Sequence, residues 1–269
     1  MTTARAVALL TALLTPGVAA AQDRGERPWR ADVSMTGNLF SGNLRQVQAL
    51  GRVHVSRSGA RAGGDFVATG FRVWMQPQEG APYVRVGDDL SATLVPFVYV
   101  RPPSAGVGVY LQGFAGYADS LSRQLDARVN VGGAVGLAPV RTENVLVRAS
   151  LGAQVEHARY PTEAFNVDVG QEGASRTVPR VVISSNGWYR VKGTPLSMRY
   201  LGHAMVDPGA VRDNRQFLDA GVDLRVAEGW STRLSVLYTR DSVVPTGIRP
   251  ADLRAGIGVA YSTPRGGGI

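Results

Sequence analysis

The sequence contains no cysteine and only one lysine, Lys192. Without cysteine there is no disulfide, no lipidated N-terminal thiol and no thiolate metal site, so stability must come from sheet pairing and closure. Long apolar runs are missing too. The first one, 6–14, falls short of the roughly 18 residues that a spanning helix needs, and no later stretch reaches that length without a charge or a turn residue. Helical membrane spans are therefore excluded, and a membrane form would have to be a barrel. There is no arginine run either, although the net charge is +8 and the isoelectric point about 10.3. Arg30, Arg52, Arg128, Arg148, Arg225, Arg233 and Arg254 stand singly at polar positions of alternating segments, with Asp32, Asp126, Glu156, Asp223 and Asp252 at the same parity. That distribution fits an internal ladder of paired charges and argues against a nucleic-acid face.

What is present begins with an export signal. Arg5 gives a charged start, 6–14 an apolar stretch, and Ala19, Ala20 and Ala21 a small-residue cleavage site, so residues 1–21 read as a signal peptide and 22–28 as a polar periplasmic lead. From Trp29 onward the chain alternates. Trp29, Ala31, Val33 and Met35 are apolar, while Arg30, Asp32, Ser34 and Thr36 are polar. Between Leu125 and Leu137 every odd position is apolar or glycine, and the even face is led by Asp126, Arg128 and Asn130. The same period predicts twelve strands, at 29–38, 45–56, 65–75, 84–100, 107–117, 125–140, 145–159, 180–191, 196–206, 216–226, 231–241 and 251–261. The third and eighth do not keep one parity. A mean hydropathy of −0.04 is what strands with one oily and one wet face average to. The expected fold is all-β, a single antiparallel transmembrane β-barrel of about twelve strands over 29–261, with a flexible tail at 262–269.

Connection lengths and aromatic positions support an orientation. With both termini periplasmic, the inner turns fall at 58–64, 101–106, 141–144, 192–195 and 227–230. The outer loops then include 76–82, 118–124, 161–179, 207–214 and 242–250, and the longest connection is among them. Trp29, Tyr99, Trp188, Trp230 and Tyr261 lie at periplasmic strand ends, and Trp74, Tyr83, Tyr117, Tyr160 and Tyr238 at outer ends. These read as two interfacial girdles, although soluble sheets also carry aromatics at strand ends. The outward wall would include Ala31, Val33, Val129, Val131, Val147, Leu151, Leu234, Val236, Ile257 and Val259.

Three stretches carry a resemblance to a known family: 35–43 (Met-Thr-Gly-Asn-Leu-Phe-Ser-Gly-Asn), 125–160, and 215–261 with Tyr238, Asp241, Pro245 and the ending Asp252-Leu-Arg-Ala-Gly-Ile-Gly-Val-Ala-Tyr261. The chain resembles the YdiY-like family of salt-induced outer membrane proteins, defined largely as a domain of unknown function. The resemblance implies an outer-membrane barrel with no established activity and no catalytic residues to carry over. The last segment also looks like the C-terminal signal read by the barrel-insertion machinery, a partner during biogenesis. Such signals normally end on an aromatic residue, whereas eight residues follow Tyr261 here.

Candidate chemistry is sparse. His54 and Ser56 share a face about 7 Å apart, and His203 and Ser197 lie about 20 Å apart along one strand, so neither is a ready hydrolase pair. His157 is the remaining histidine. Asp88 with Asp89, and Asp168 with Glu172, match no calcium loop, and 132–136 is glycine-rich without a following helix, so no metal or cofactor is expected. Asp126, Arg128, Arg148, Asp223, Arg233, Asp252 and Arg254 are expected to line the lumen. Arg123, Arg159, Arg176, Arg212, Arg215 and Arg249 fall in or near outer loops, where guanidinium suits phosphate, so they are candidate contacts to outer-membrane lipid and lipopolysaccharide headgroups. Ordinary loop solubility explains them equally well. The favoured function is a non-enzymatic envelope barrel or a narrow anion-favouring pore. An outer-membrane lipid hydrolase and a soluble periplasmic β-sandwich or lipocalin-like binder are the alternatives. Substrate, inducing condition and oligomeric state are not written in the sequence.

Overall fold

A computed structural model describes residues 29–40, 45–59, 61–78, 80–103, 106–161, 165 and 174–263. Twelve strands follow one another in chain order. They are β1 (Trp29–Phe40), β2 (Arg45–Ser58), β3 (Ala62–Gln76), β4 (Val84–Arg101), β5 (Gly108–Ser120), β6 (Leu125–Arg141), β7 (Val145–Arg159), β8 (Ser175–Arg190), β9 (Leu196–Val206), β10 (Asn214–Arg225), β11 (Trp230–Asp241) and β12 (Ala251–Ser262). Each pairs antiparallel with its chain neighbours, and β1 pairs with β12 from Asp32↔Ser262 to Thr36↔Gly258, which closes the sheet. Closure leaves no edge strand with unpaired backbone groups.

The two-residue period decides which side chains point where. Along β1, Asp32, Ser34 and Thr36 are buried while Val33 and Met35 are exposed. Along β6, Val129, Val131, Val135 and Leu137 are exposed, and Arg128, Gly136 and Ala138 are buried. Leu151, Ile183, Leu234, Ile257 and Val259 extend the outward apolar band around the barrel. This inverts the soluble arrangement, because the charged face is inside. It overturns the β-sandwich alternative, in which two sheets would bury that apolar face between them.

Connections differ between the two ends. Ranges 59–61, 102–107, 142–144, 191–195 and 226–229 join strands at the turn end; 77–83, 160–174, 207–213 and 242–250 are among those at the loop end. Gly193 and Gly229 adopt φ of 76° and 74°, a left-handed conformation that costs other residues strain, and so permit the tight turns before β9 and β11. The end carrying the short turns also carries Trp29, Trp230 and Tyr261, all exposed, with the last two rings 5.1 Å apart.

Several boundaries differ from expectation. β8 begins at Ser175 and takes in Pro179. Its pairing with β9 starts only at Val181, so Pro179 sits in a stretch paired on one side, where a missing N–H leaves no ladder bond unmade. Ser262 and Thr263 belong to the barrel rather than to a flexible tail: the Ser262 hydroxyl donates to Asp32 at 2.5 Å and the Thr263 amide to the Ala31 carbonyl at 2.9 Å. The expected signal peptide and lead, and the rest of the tail, lie outside the described residues.

Candidate functional site in the barrel interior

The interior is bridged by ion pairs, and their partners come from strands that are not neighbours. At the loop end the Arg128 guanidinium on β6 donates to Asp241 on β11 at 2.7 Å and to the Tyr160 hydroxyl at 3.0 Å. Four strands separate β6 from β11 by the shorter way round, so this contact crosses the lumen. Arg215 joins the same group, binding Glu156 and reaching Asp241 at 3.3 Å. Arg180 bridges Glu156 at 3.3 Å and Asp213 at 3.0 Å, and Arg176 also binds Asp213. Asp213 closes the β9–β10 loop and is wholly buried. A second bridge links Arg254 on β12 to Asp89 on β4 at 2.7 Å, with Asp252 at 2.6 Å and the Phe71 ring 3.8 Å below the guanidinium.

Toward the turn end the pairs centre on one arginine. Arg233 makes two bonds to Asp32, at 2.8 and 3.1 Å, and two to Asp223, at 2.5 and 2.9 Å. Asp223 and Arg233 are register partners on β10 and β11. Arg52 on β2 binds Asp219 on β10 across the lumen, and Arg199 stands 3.9 Å from Asp32. On the other side His54 and Arg148 share Asp65, at 3.0 and 3.7 Å. Arg148 also lies 4.2 Å above Phe97, which meets Tyr99 and Tyr110 edge to face. Between the charged layers stands an uncharged polar belt, in which Gln112 donates to Ser150 at 2.9 Å, Ser150 and Ser184 share a 2.6 Å bond, and Asn130 donates to Gln154 at 3.1 Å. A space lined by Thr36, Gln48, Phe71 and Arg254 holds about 10 Å³, room for one water.

The expected lumen residues are placed as follows. Arg128, Arg148, Asp223, Arg233, Asp252 and Arg254 all take part in interior pairs. Asp126 does not: it is exposed, and Leu125 is buried instead. The β5–β6 register shifts between Ala118 and Ser120, and Gln124 adopts φ of 51°, so the inside–outside parity of β6 begins one residue later than its sequence suggests. Of the six arginines assigned to headgroups, Arg159, Arg212 and Arg249 are exposed at the loop end. Arg176 and Arg215 are turned inward by their carboxylates, and Arg123 donates to the Thr239 hydroxyl at 2.6 Å. Burial pulls the Arg123 guanidinium below its ordinary value, with Asp241 opposing the shift.

Two girdle assignments also change. Tyr99 is buried in the Phe97–Tyr99–Tyr110–Ala138 cluster, and Tyr160 packs inside with Leu125, Ala158 and Phe165. A Cβ at Gly136 would strike the Tyr110 ring, so that glycine makes room for the lower cluster. Sequence reading missed Arg180, Arg199, Asp89, Asp213, Asp219 and Asp241 as interior partners. Parity alone identifies Asp241, eight residues from Arg233 on one face. No such signal marks Asp213, which lies in a loop.

The histidines have other partners than serine. His203 stacks on Phe217 at 4.6 Å and 9°, His157 shares a 2.9 Å bond with Thr177 on the outer face, and His54 faces Asp65. Asp168 and Glu172 lie outside the described residues.

No family model matches the chain, so the likeness to the YdiY-like family rests on the sequence segments alone. No curated protein matches it either. Among solved structures it is similar to the translocator domain of the autotransporter NalP from Neisseria meningitidis, at 13% identity and TM-score 0.41, covering 96% of each chain. It is also similar to the NanC porin, at 9% identity and TM-score 0.46, covering 86% of this chain and 98% of that one. The KdgM porin matches at 9% identity and TM-score 0.38, over 87% and 98%. At these values the likenesses carry no function across, and what is concluded here rests on the chain's own closed twelve-stranded barrel with its apolar wall and charged interior.

Proposed function

We propose that this chain is a non-enzymatic outer-membrane barrel of the bacterial envelope, exported by a cleaved signal, whose interior is a narrow anion-favouring path. The observation that carries this reading is the loop-end cluster, in which Arg128, Arg176, Arg180 and Arg215 face, among the described residues, the three acids Glu156, Asp213 and Asp241. Excess positive charge inside a low-dielectric wall lowers the energy of an anion and raises that of a cation, while lumen-crossing pairs restrict width. Purified protein in a planar bilayer is expected to give small unitary currents whose reversal potential in a salt gradient follows the anion. Cation-selective current or none would sink the path and leave a structural envelope role. The outward apolar band supports membrane insertion, for which heat-modifiable migration after detergent extraction is the check. In the same reading Arg159, Arg212 and Arg249 meet lipopolysaccharide phosphates. A salt-responsive role, as the YdiY-like resemblance implies, predicts a rise in the protein's abundance when salt is raised.

A further inference from the structure

Among the described residues the loop-end cluster is one acid short. Arg128, Arg176, Arg180 and Arg215 surround Glu156, Asp213 and Asp241, four cations against three anions. The neighbouring group of Arg254, Asp89 and Asp252 has one carboxylate in excess. Arg123, held by the Thr239 hydroxyl at 2.6 Å, makes no ion pair among the described residues, and with it the two groups together hold six cations against five anions. One positive charge therefore remains in surplus. Three of its members are more than nine-tenths buried, with Arg128 and Arg176 each 6% and Arg180 2% exposed. The Nε–H of Arg176 and that of Arg180 have no acceptor among the described residues, whereas the Nε–H of Arg128 faces Glu156 at 3.6 Å. A buried guanidinium donor without an acceptor, in a group whose charge does not sum to zero, is unfavourable on both counts.

We propose that this cluster binds one small monovalent anion, of the chloride class, against the unpaired Nε–H donors of Arg176 and Arg180. One negative charge balances the cluster, whereas a divalent oxyanion would overshoot it and require a larger dehydrated volume. A halide needs no fixed acceptor geometry and accepts N–H donors from any side, which suits two arginines both held by Asp213. The inference goes beyond conduction, because a resident ion stabilises the fold whether or not ions pass through.

The test compares thermal unfolding of the detergent-solubilised barrel in sodium chloride and in sodium gluconate at equal ionic strength. Chloride is expected to raise the midpoint saturably, by about 2–4 °C when its concentration is roughly five times its dissociation constant. Arg176→Gln, which balances the cluster, is expected to lose the chloride dependence, and Glu156→Gln, which adds a further surplus charge, to increase it. Bromide should replace chloride and give an anomalous diffraction peak beside Arg176 or Arg180. Equal wild-type midpoints in the two salts would overturn the proposal and assign the missing negative charge to a carboxylate of the chain itself. A chloride dependence that survives unchanged in Arg176→Gln would overturn the placement. Chloride-dependent unfolding without bilayer current would sink the pore reading and keep the site; current without chloride dependence would do the reverse.

Discussion

The two charged layers inside the barrel are built from the same residue types but do different work. The turn-end layer is balanced, with Arg233, Arg199 and Arg52 facing Asp32, Asp223 and Asp219. Its centre, Arg233, satisfies two carboxylates with four bonds, and all its members sit on strands. The loop-end layer is unbalanced, shares each carboxylate among several arginines and includes Asp213 from a loop. Val243, Val244 and Pro245 of the 242–250 loop are buried just after Asp241, so this layer also meets the connection above it. One layer is a strand-to-strand staple centred on a single cation. The other is redundant, and its carboxylates tie loops to the wall. Redundancy means that no single cation at the loop end is indispensable, whereas the turn end depends on one.

The sharpest way to break that contrast is Arg233→Ala. It strips Asp223 of both arginine bonds and leaves Asp32 with Ser262 and a distant Arg199 at 3.9 Å. Removing one partner of a buried pair costs about 3–5 kcal/mol, and here two carboxylates are stranded, so loss of the compact, heat-modifiable band at a markedly lower temperature is expected. Arg128→Ala should cost less, about 1–3 kcal/mol. Asp241 keeps Arg215 at 3.3 Å, Glu156 keeps Arg180 and Arg215, and removal of one cation brings the cluster to balance. Equal losses for the two variants, read by urea unfolding in the same detergent, would show that redundancy at the loop end is not what distinguishes the layers. Arg128→Ala should also widen the path and raise unitary conductance, since the β6-to-β11 bridge is gone.

The wall was legible from the sequence because outward-facing and interior residues alternate with no exceptions over long stretches of β1, β6 and β12. Legibility failed where geometry other than the period intervened. The bulge beside Ser120 swaps Leu125 and Asp126, and nothing in their alternation announces it. The start of β8 was hidden by Val178 and Val182, apolar residues that point inward on either side of Arg180, so its parity looked broken. Tyr99 and Tyr160 were assigned to the rims because both stand near strand ends. Depth along a strand is readable from sequence, but which face an aromatic takes depends on a parity that bulges between Tyr99 and Arg101, and a loop after Tyr160, disturb. Which arginine meets which acid was the least legible, since lumen-crossing partners such as Arg52 and Asp219 lie far apart in sequence and share no spacing rule.

The smallest expected effect separates the loop-end layer from the surface beyond it. Arg159, Arg212 and Arg249 are exposed, unlike Arg176 and Arg215 at the same end of the barrel, which are held by Asp213 and Glu156. Replacing the three exposed arginines with glutamine removes no interior bond, so the unfolding free energy should stay within about 0.5 kcal/mol of wild type. Headgroup contact is a separate property. Each lost guanidinium removes a charge-assisted phosphate donor, so lipopolysaccharide retained through purification should fall in the triple variant while stability does not. Unchanged retention would return these residues to ordinary loop solubility. A stability loss comparable with that of Arg128→Ala would mean instead that the interior network extends to the exposed loops.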